Sequence, residues 1–372
     1  MNAWPALLAR QAGQPFSMPL VAAPGCFPHF VAPLALGRNI RGASIATTDT
    51  TCAGLLPGVD APSTSNLFNN VAISGATTGM ALAMTPEIAL ANPSTTDFSA
   101  VFRRKMYPKV LPANHSQVTA AMALDPTFVS VELGANDVLG TLSGIVAPGA
   151  TYVPFAAWQA DYDKVIDSLE TLGEDLKVLL VNVPNVTNIV SLRTGAELHA
   201  DSLNFLQRFR VTVMSNCKDS QNRIFTSRLV LGTIAFAAQN PTVPVVPLSC
   251  ANAAGATPDY VLTPEEVAAV TAVVGQMNAH IASVADDHGW ALLDLNQGLS
   301  QIKQEQPPFR VAAMMTCALP FGPFISLDGV HPSNAGQIRI ANVAIGAINE
   351  QYDFELPFIE ENPPSYASLC GA

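Results

Sequence analysis

Phe128-Val129-Ser130-Val131-Glu132-Leu133-Gly134-Ala135-Asn136-Asp137 decides how this chain is read: an apolar, partly β-branched run stops on a glycine and turns into an Asn-Asp pair. Short runs of this kind, bounded by Gly, Pro or Asn, suit the strands of a parallel sheet covered on both faces. Three further stretches share the pattern, namely 67–73, 177–183 and 290–295. Helical patterns lie between and after them. Phe155, Trp158, Tyr162, Val165, Ile166, Leu169 and Leu172 mark one apolar face. Thr263-Pro264-Glu265-Glu266 is an N-cap followed by Pro and first-turn acids, and 334–351 gives a last helix. Strands alternating with helices imply a doubly wound α/β fold, a mainly parallel sheet between two helical layers.

Working outward, Trp4, Leu7, Leu8 and Ala12 fall on one helical face, with Pro5 suited to a first turn and Gly13 to a stop. The Pro-, Gly- and Thr-rich stretch 15–62 predicts long loops with short extended pieces. Residues 1–372 read as a single domain with an insertion at about 185–262, partly helical (196–216) and otherwise irregular.

Of the 372 residues 49% are hydrophobic and 13% charged, ample for a core. No stretch approaches the roughly 18 uninterrupted apolar residues of a transmembrane helix. The net charge is −11, and Arg103, Arg104 and Lys105 are the densest basic cluster. A polyphosphate partner would be repelled on average, which disfavours nucleic acid and favours a weakly charged small-molecule or lipid substrate. Cys26, Cys52, Cys217, Cys250, Cys317 and Cys370 form no CxxC pair, and HExxH is absent. No metal or cofactor is therefore expected, and some disulfide pairing is.

Three segments can carry chemistry, each where a strand ends or the last helix begins; in open α/β sheets ligands bind at the carboxyl ends of strands. In Leu327-Asp328-Gly329-Val330-His331-Pro332-Ser333, Asp328 precedes His331 by three residues. Its carboxylate can accept from one ring nitrogen and leave the other free as a base. The plainer alternative is an Asp-capped turn with a surface histidine. In Gly134-Ala135-Asn136-Asp137, Asn136 can aim an amide donor at an oxyanion, while a simple Gly-Asn-Asp turn would have the same residues. Asp137 reads as a cap. In Ile73-Ser74-Gly75-Ala76-Thr77, Gly75 can offer its backbone N–H without side-chain obstruction.

In this order the three segments resemble the SGNH (GDSL-like) hydrolase superfamily. The resemblance extends to Asn182-Val183-Pro184-Asn185 and to 326–349, where LDGVHPS is followed by IAN and AIN, and is weakest over 185–262. It implies a three-layer SGNH fold and a serine ester hydrolase of lipase or esterase type. Gly75 and Asn136 would be oxyanion donors, His331 the general base and Asp328 its orienter.

The family's nucleophile lies in a Gly-Asp-Ser block, and that tripeptide does not occur here. The helix that normally follows the block resembles Trp4–Gly13. An N-terminally truncated chain, missing its first strand, is therefore expected, preceded in the full reading frame by that strand and an export signal. The nearest Gly-x-Ser, Gly42-Ala43-Ser44, lacks the Asp and a following helix. Ser17 and Ser74 have no supporting context, and His29, His115, His199, His280 and His288 read as surface or structural. Alternatives to an inactive esterase half are a non-catalytic ester-, lipid- or glycan-binding relative and a carbohydrate deacetylase on the same fold.

Overall fold

Four of the five residues of Lys177–Val181 are buried, so this run must be covered on both faces. The computed structural model describes residues 3–44, 49–253, 255 and 257–365. Among these the strands are β1 (Phe128–Glu132), β2 (Lys177–Val181), β3 (Leu192–Thr194), β4 (Val211–Val213), β5 (Arg223–Phe225), β6 (Val246–Leu248), β7 (Val261–Leu262) and β8 (Ala291–Leu293). The central sheet has the order β1-β2-β8, parallel throughout, with Val131 opposite Leu180 and Leu180 opposite Leu292. The helices that frame the site are α1 (Trp4–Gln11), α2 (Thr78–Ala83), α3 (Phe155–Glu170), α4 (Leu229–Gln239), α5 (Pro264–His288) and α6 (Asn334–Tyr352).

The period-two alternation of β2 builds the layers. Leu179 and Val181 pack with Trp4, Leu7, Leu8, Ala341, Ile345 and Ile348 of α1 and α6. Val178 and Leu180 pack with Trp158, Tyr162, Val165, Met277 and Ile281 of α3 and α5. The result is a three-layer α/β fold, as the pattern predicts. Each helix starts as its sequence dictates: Pro5 sits in the first turn of α1, and Thr263 and Glu266 form a reciprocal capping box on α5. Tyr352, at the far end of α6, wedges its hydroxyl between two strands. It donates to the Val178 carbonyl at 2.7 Å and accepts from the N–H groups of Val178 (3.0 Å) and Ala291 (3.2 Å).

Two expectations are corrected. Residues 67–73 do not form a strand, although Phe68 and Ile73 are buried. A strand needs a ladder partner, and 67–73 has none among the described residues. Residues 185–262 are not irregular. They hold an antiparallel β3-β5-β7 sheet and a parallel β4-β6 pair, packed around Val190, Leu198, Phe205, Ile224, Val230 and Leu248 in a core that Leu34, Val311 and Met314 share.

Helix α5 is long and apolar enough to cross a membrane by composition. Its buried residues Val270, Val274, Met277, Ile281, Val284 and Ala285 nevertheless fall on one face, against the sheet, as in an amphipathic core helix. Disulfides join Cys26 to Cys52 and Cys217 to Cys250, Cys317 is also disulfide-bonded, and no free cysteine occurs among the described residues.

His280 and His288 are each paired with a carboxylate, which the sequence does not reveal because the partners lie more than a hundred residues away. His280 Nε2 is 2.6 Å from Asp163 and His288 Nε2 is 2.7 Å from Glu170, so two histidine–carboxylate contacts stitch α5 to α3. The hydrogen bond to Glu170 raises the His288 pKa, against partial burial. A raised histidine pKa contributes stability fully below its ordinary value of about 6.5, lost as pH rises through the folded value. Chemical denaturation at pH 5.5 and 8.5 checks this. The wild-type advantage over Glu170→Gln should be larger at pH 5.5, and an equal advantage at both pH values would refute the assignment.

Candidate active site

Of the three sequence segments, one follows the carboxyl end of β1, one precedes α6, and the third, with Gly75, lies in the loop before α2. Gly134, with φ +119°, lets the chain leave β1 sharply into the helical turn Ala135–Val138. A Cβ at this position would lie 2.4 Å from Val183 Cγ2 and 3.4 Å from Trp158 Nε1, so only glycine fits. The turn places Asn136 and Asp137 against the loop that precedes α2. Asn136 Nδ2 donates to the Ala76 carbonyl at 2.9 Å. Asp137 accepts from Thr78 N–H at 3.0 Å and from Thr78 Oγ1 at 2.9 Å, binding the Gly75–Thr78 loop to the end of β1. Burial pushes the Asp137 pKa up to about 6, against these hydrogen bonds. Gly75 itself is exposed, with φ +78° and open space around its Cα. The structure therefore brings Gly75 and Asn136 together.

The Asp328–His331 turn is equally well fixed. Asp328 Oδ2 is 2.6 Å from His331 Nδ1, while Oδ1 accepts from Ser326 Oγ and from the N–H groups of Val330 and His331. Burial opposes ionisation of Asp328, but His331 and these donors hold its pKa down to about 2. His331 moves the other way. Its hydrogen bond to Asp328 raises its pKa, partial burial opposes this, and the charges of Asp328 and Glu132 reinforce it. Nδ1 is thereby committed to Asp328, and Nε2 is left for proton transfer. Ser333 caps α6 through Gly336 N–H, so the turn is rooted in that helix.

Glu132, the last residue of β1, was not singled out from sequence, although a carboxylate inside an apolar strand is the signal that could have found it. It accepts from Trp4 Nε1 at 3.0 Å, and its charge acts on His331. Ser191, Thr226 and Ser227 were also missed. Ser191 Oγ donates to the Gly329 carbonyl at 2.8 Å, and Thr226 bonds the Ser191 carbonyl, so these residues support the Asp328–His331 turn from below. Ser44 lies elsewhere, with Gln239 Nε2 3.4 Å from its Oγ. Ser17 bonds Leu67 and Asn69.

The GDSL-like Lipase/Acylhydrolase family model matches residues 35–344, which spans the Gly75, Asn136 and Asp328–His331 segments. The chain belongs to that family. No curated protein and no solved structure matches it. Membership of the GDSL-like lipase/acylhydrolases makes an ester-type hydrolase the general setting for this site. Among the described residues no group of His, Cys, Asp or Glu could hold a metal ion.

Proposed function

We propose that this chain carries the oxyanion-hole and Asp/His parts of a serine carboxylic-ester hydrolase of lipase or esterase type, and that its nucleophile is supplied by a Gly-Asp-Ser segment outside the 372 residues. The observation that carries this reading is the 2.6 Å contact between His331 Nδ1 and Asp328 Oδ2. A binding module has no use for an oriented base. β1 stands at the edge of the sheet with no ladder partner on its outer side among the described residues, and a strand bearing that serine would fit there. The disulfides fit an exported protein.

In the proposed reaction His331 Nε2 takes the serine proton as the hydroxyl attacks the ester carbonyl. The Asn136 amide carries two hydrogens. One is held by the Ala76 carbonyl, which fixes the amide plane, and the other can meet the oxyanion beside the Gly75 N–H. The intermediate collapses, His331 returns the proton to the leaving alcohol, and water cleaves the acyl-enzyme by the same base.

Fluorophosphonate labelling tests the reading. The 372-residue chain should give no stoichiometric serine adduct. A protein extended through the upstream reading frame should be labelled at its Gly-Asp-Ser serine and hydrolyse p-nitrophenyl acyl esters. Stoichiometric labelling of Ser44, lost in Ser44→Ala, would overturn the assignment of the nucleophile. A stop codon directly upstream in verified DNA would instead favour a non-catalytic, ester-binding relative.

A further inference from the structure

Beyond Tyr352 the chain turns back and runs along α6 in the opposite direction. Asn349 and Asn342, about two turns apart on one side of the helix, hold it as rungs. Asn349 donates to the Leu356 carbonyl at 3.0 Å and accepts from the Leu356 N–H at 2.9 Å. Asn342 does the same with Ile359, at 2.8 Å each way. Each side-chain amide thus stands in for a peptide group of a ladder, and Leu356 and Ile359 pack with the Leu179 and Ile345 core. This tail lies outside residues 35–344, which the family model covers.

Glu361 then reaches the second turn of α6. It accepts from Arg339 Nε at 3.3 Å and from Asn342 Nδ2 at 2.9 Å. The half-buried Arg339 guanidinium, fixed in this way, lies 3.5 Å from the centre of the buried Phe324 ring, a cation–π stack. The backbone of Phe324 supports the Asp328–His331 turn directly. Its carbonyl accepts from Ser333 N–H at 2.9 Å, and two residues on Ser326 N–H donates to the His331 carbonyl at 2.8 Å. Ser326 Oγ also donates to Asp328. The fit to α6 is tight, since a Cβ at Gly336 would lie 2.1 Å from the Phe324 carbonyl oxygen. We propose that the tail is a strap and that Glu361 is a positioning residue for His331, acting through Arg339 and Phe324. The word positioning rests on reading His331 as the general base; the mechanical link does not.

Amide hydrogen exchange and histidine NMR on the 372-residue chain test this without turnover, so its failure is distinct from failure of the labelling experiment. In Glu361→Gln and in Arg339→Gln, exchange at the Ser326 and Ser333 N–H groups should quicken by roughly threefold to tenfold. Exchange at Val178 N–H, bonded to Tyr352 at the other end of α6, should not change, which separates a loosened turn from a destabilised protein. The double variant should add little to Arg339→Gln, because Glu361 acts through that residue. The His331 midpoint should fall in both variants, since a looser turn weakens the contact with Asp328. Charge alone cannot imitate this result, because losing the Arg339 cation would by itself raise the midpoint. A midpoint raised by Arg339→Gln or unchanged in both variants would overturn the proposal. So would additive effects of the two substitutions, or exchange at Ser326 and Ser333 that quickens no more than at Val178.

Discussion

Gly134→Ala is expected to destabilise the protein by about 2–6 kcal/mol, the sum of a strained backbone and an overpacked contact. The backbone at Gly134 has φ +119°, which L side chains rarely adopt, and the new methyl would meet Val183 and Trp158. Those side chains are 1% and 0% exposed, so neither can swing into solvent to make room. Against a typical total stability of about 5–15 kcal/mol the loss is large. Urea denaturation provides the measurement, with Gly75→Ala as the comparison. Gly75 also has a positive φ, but open space surrounds it, so its variant carries backbone strain alone. Equal shifts in the two midpoints would show that the tight approach of β1 to Val183 has been misjudged.

The second large effect is expected at Asp328. In Asp328→Asn the hydrogen bond to a carboxylate and the charge that hold His331 protonated disappear, leaving Glu132 to favour the imidazolium. The His331 midpoint, followed by NMR of its Cε1 proton, should fall from above about 6.5 towards it. Glu132→Gln should lower it by less. The sign carries through to the reaction. His331 serves as a base only when neutral, so with Asp328 in place base catalysis should rise with pH through the raised pKa, and in the variant that limb should move to lower pH. In the serine-bearing enzyme the amide would also favour the wrong tautomer, an effect worth on the order of 10⁴-fold in rate in a comparable triad. A His331 midpoint unchanged by Asp328→Asn would remove the argument for an oriented base.

The parts of the fold legible in sequence are those where one residue pattern has one physical solution. The runs at 177–181 and 291–293 are largely apolar on both faces, 128–132 carries Ser130 and Glu132 on one of its faces, and all three pair as parallel strands. The same pattern at 67–73 misleads, because a strand is a property of two segments and 67–73 pairs with none among the described residues. The site follows the same division. Asp328 and His331 sit three residues apart and declare themselves, and Asn136 follows a strand-ending glycine. Glu132, Ser191 and Ser227 act on the site across the fold. Their roles depend on where β1, β3 and the start of α4 come to rest, and no local spacing encodes that. The pairing of His280 and His288 with carboxylates on α3 was hidden for the same reason.

Helix α6 begins at the turn that carries His331 and ends at Tyr352, whose hydroxyl is a rung between β2 and β8. Its 19 residues span roughly 28 Å at 1.5 Å each, and one added or deleted residue would rotate one end against the other by about 100°. The helix therefore acts as a ruler: with Tyr352 pinned to the sheet, its length sets the height and bearing of the histidine. Exposed substitutions along it should be tolerated freely, whereas single-residue insertions or deletions far from the chemistry should be read out at His331.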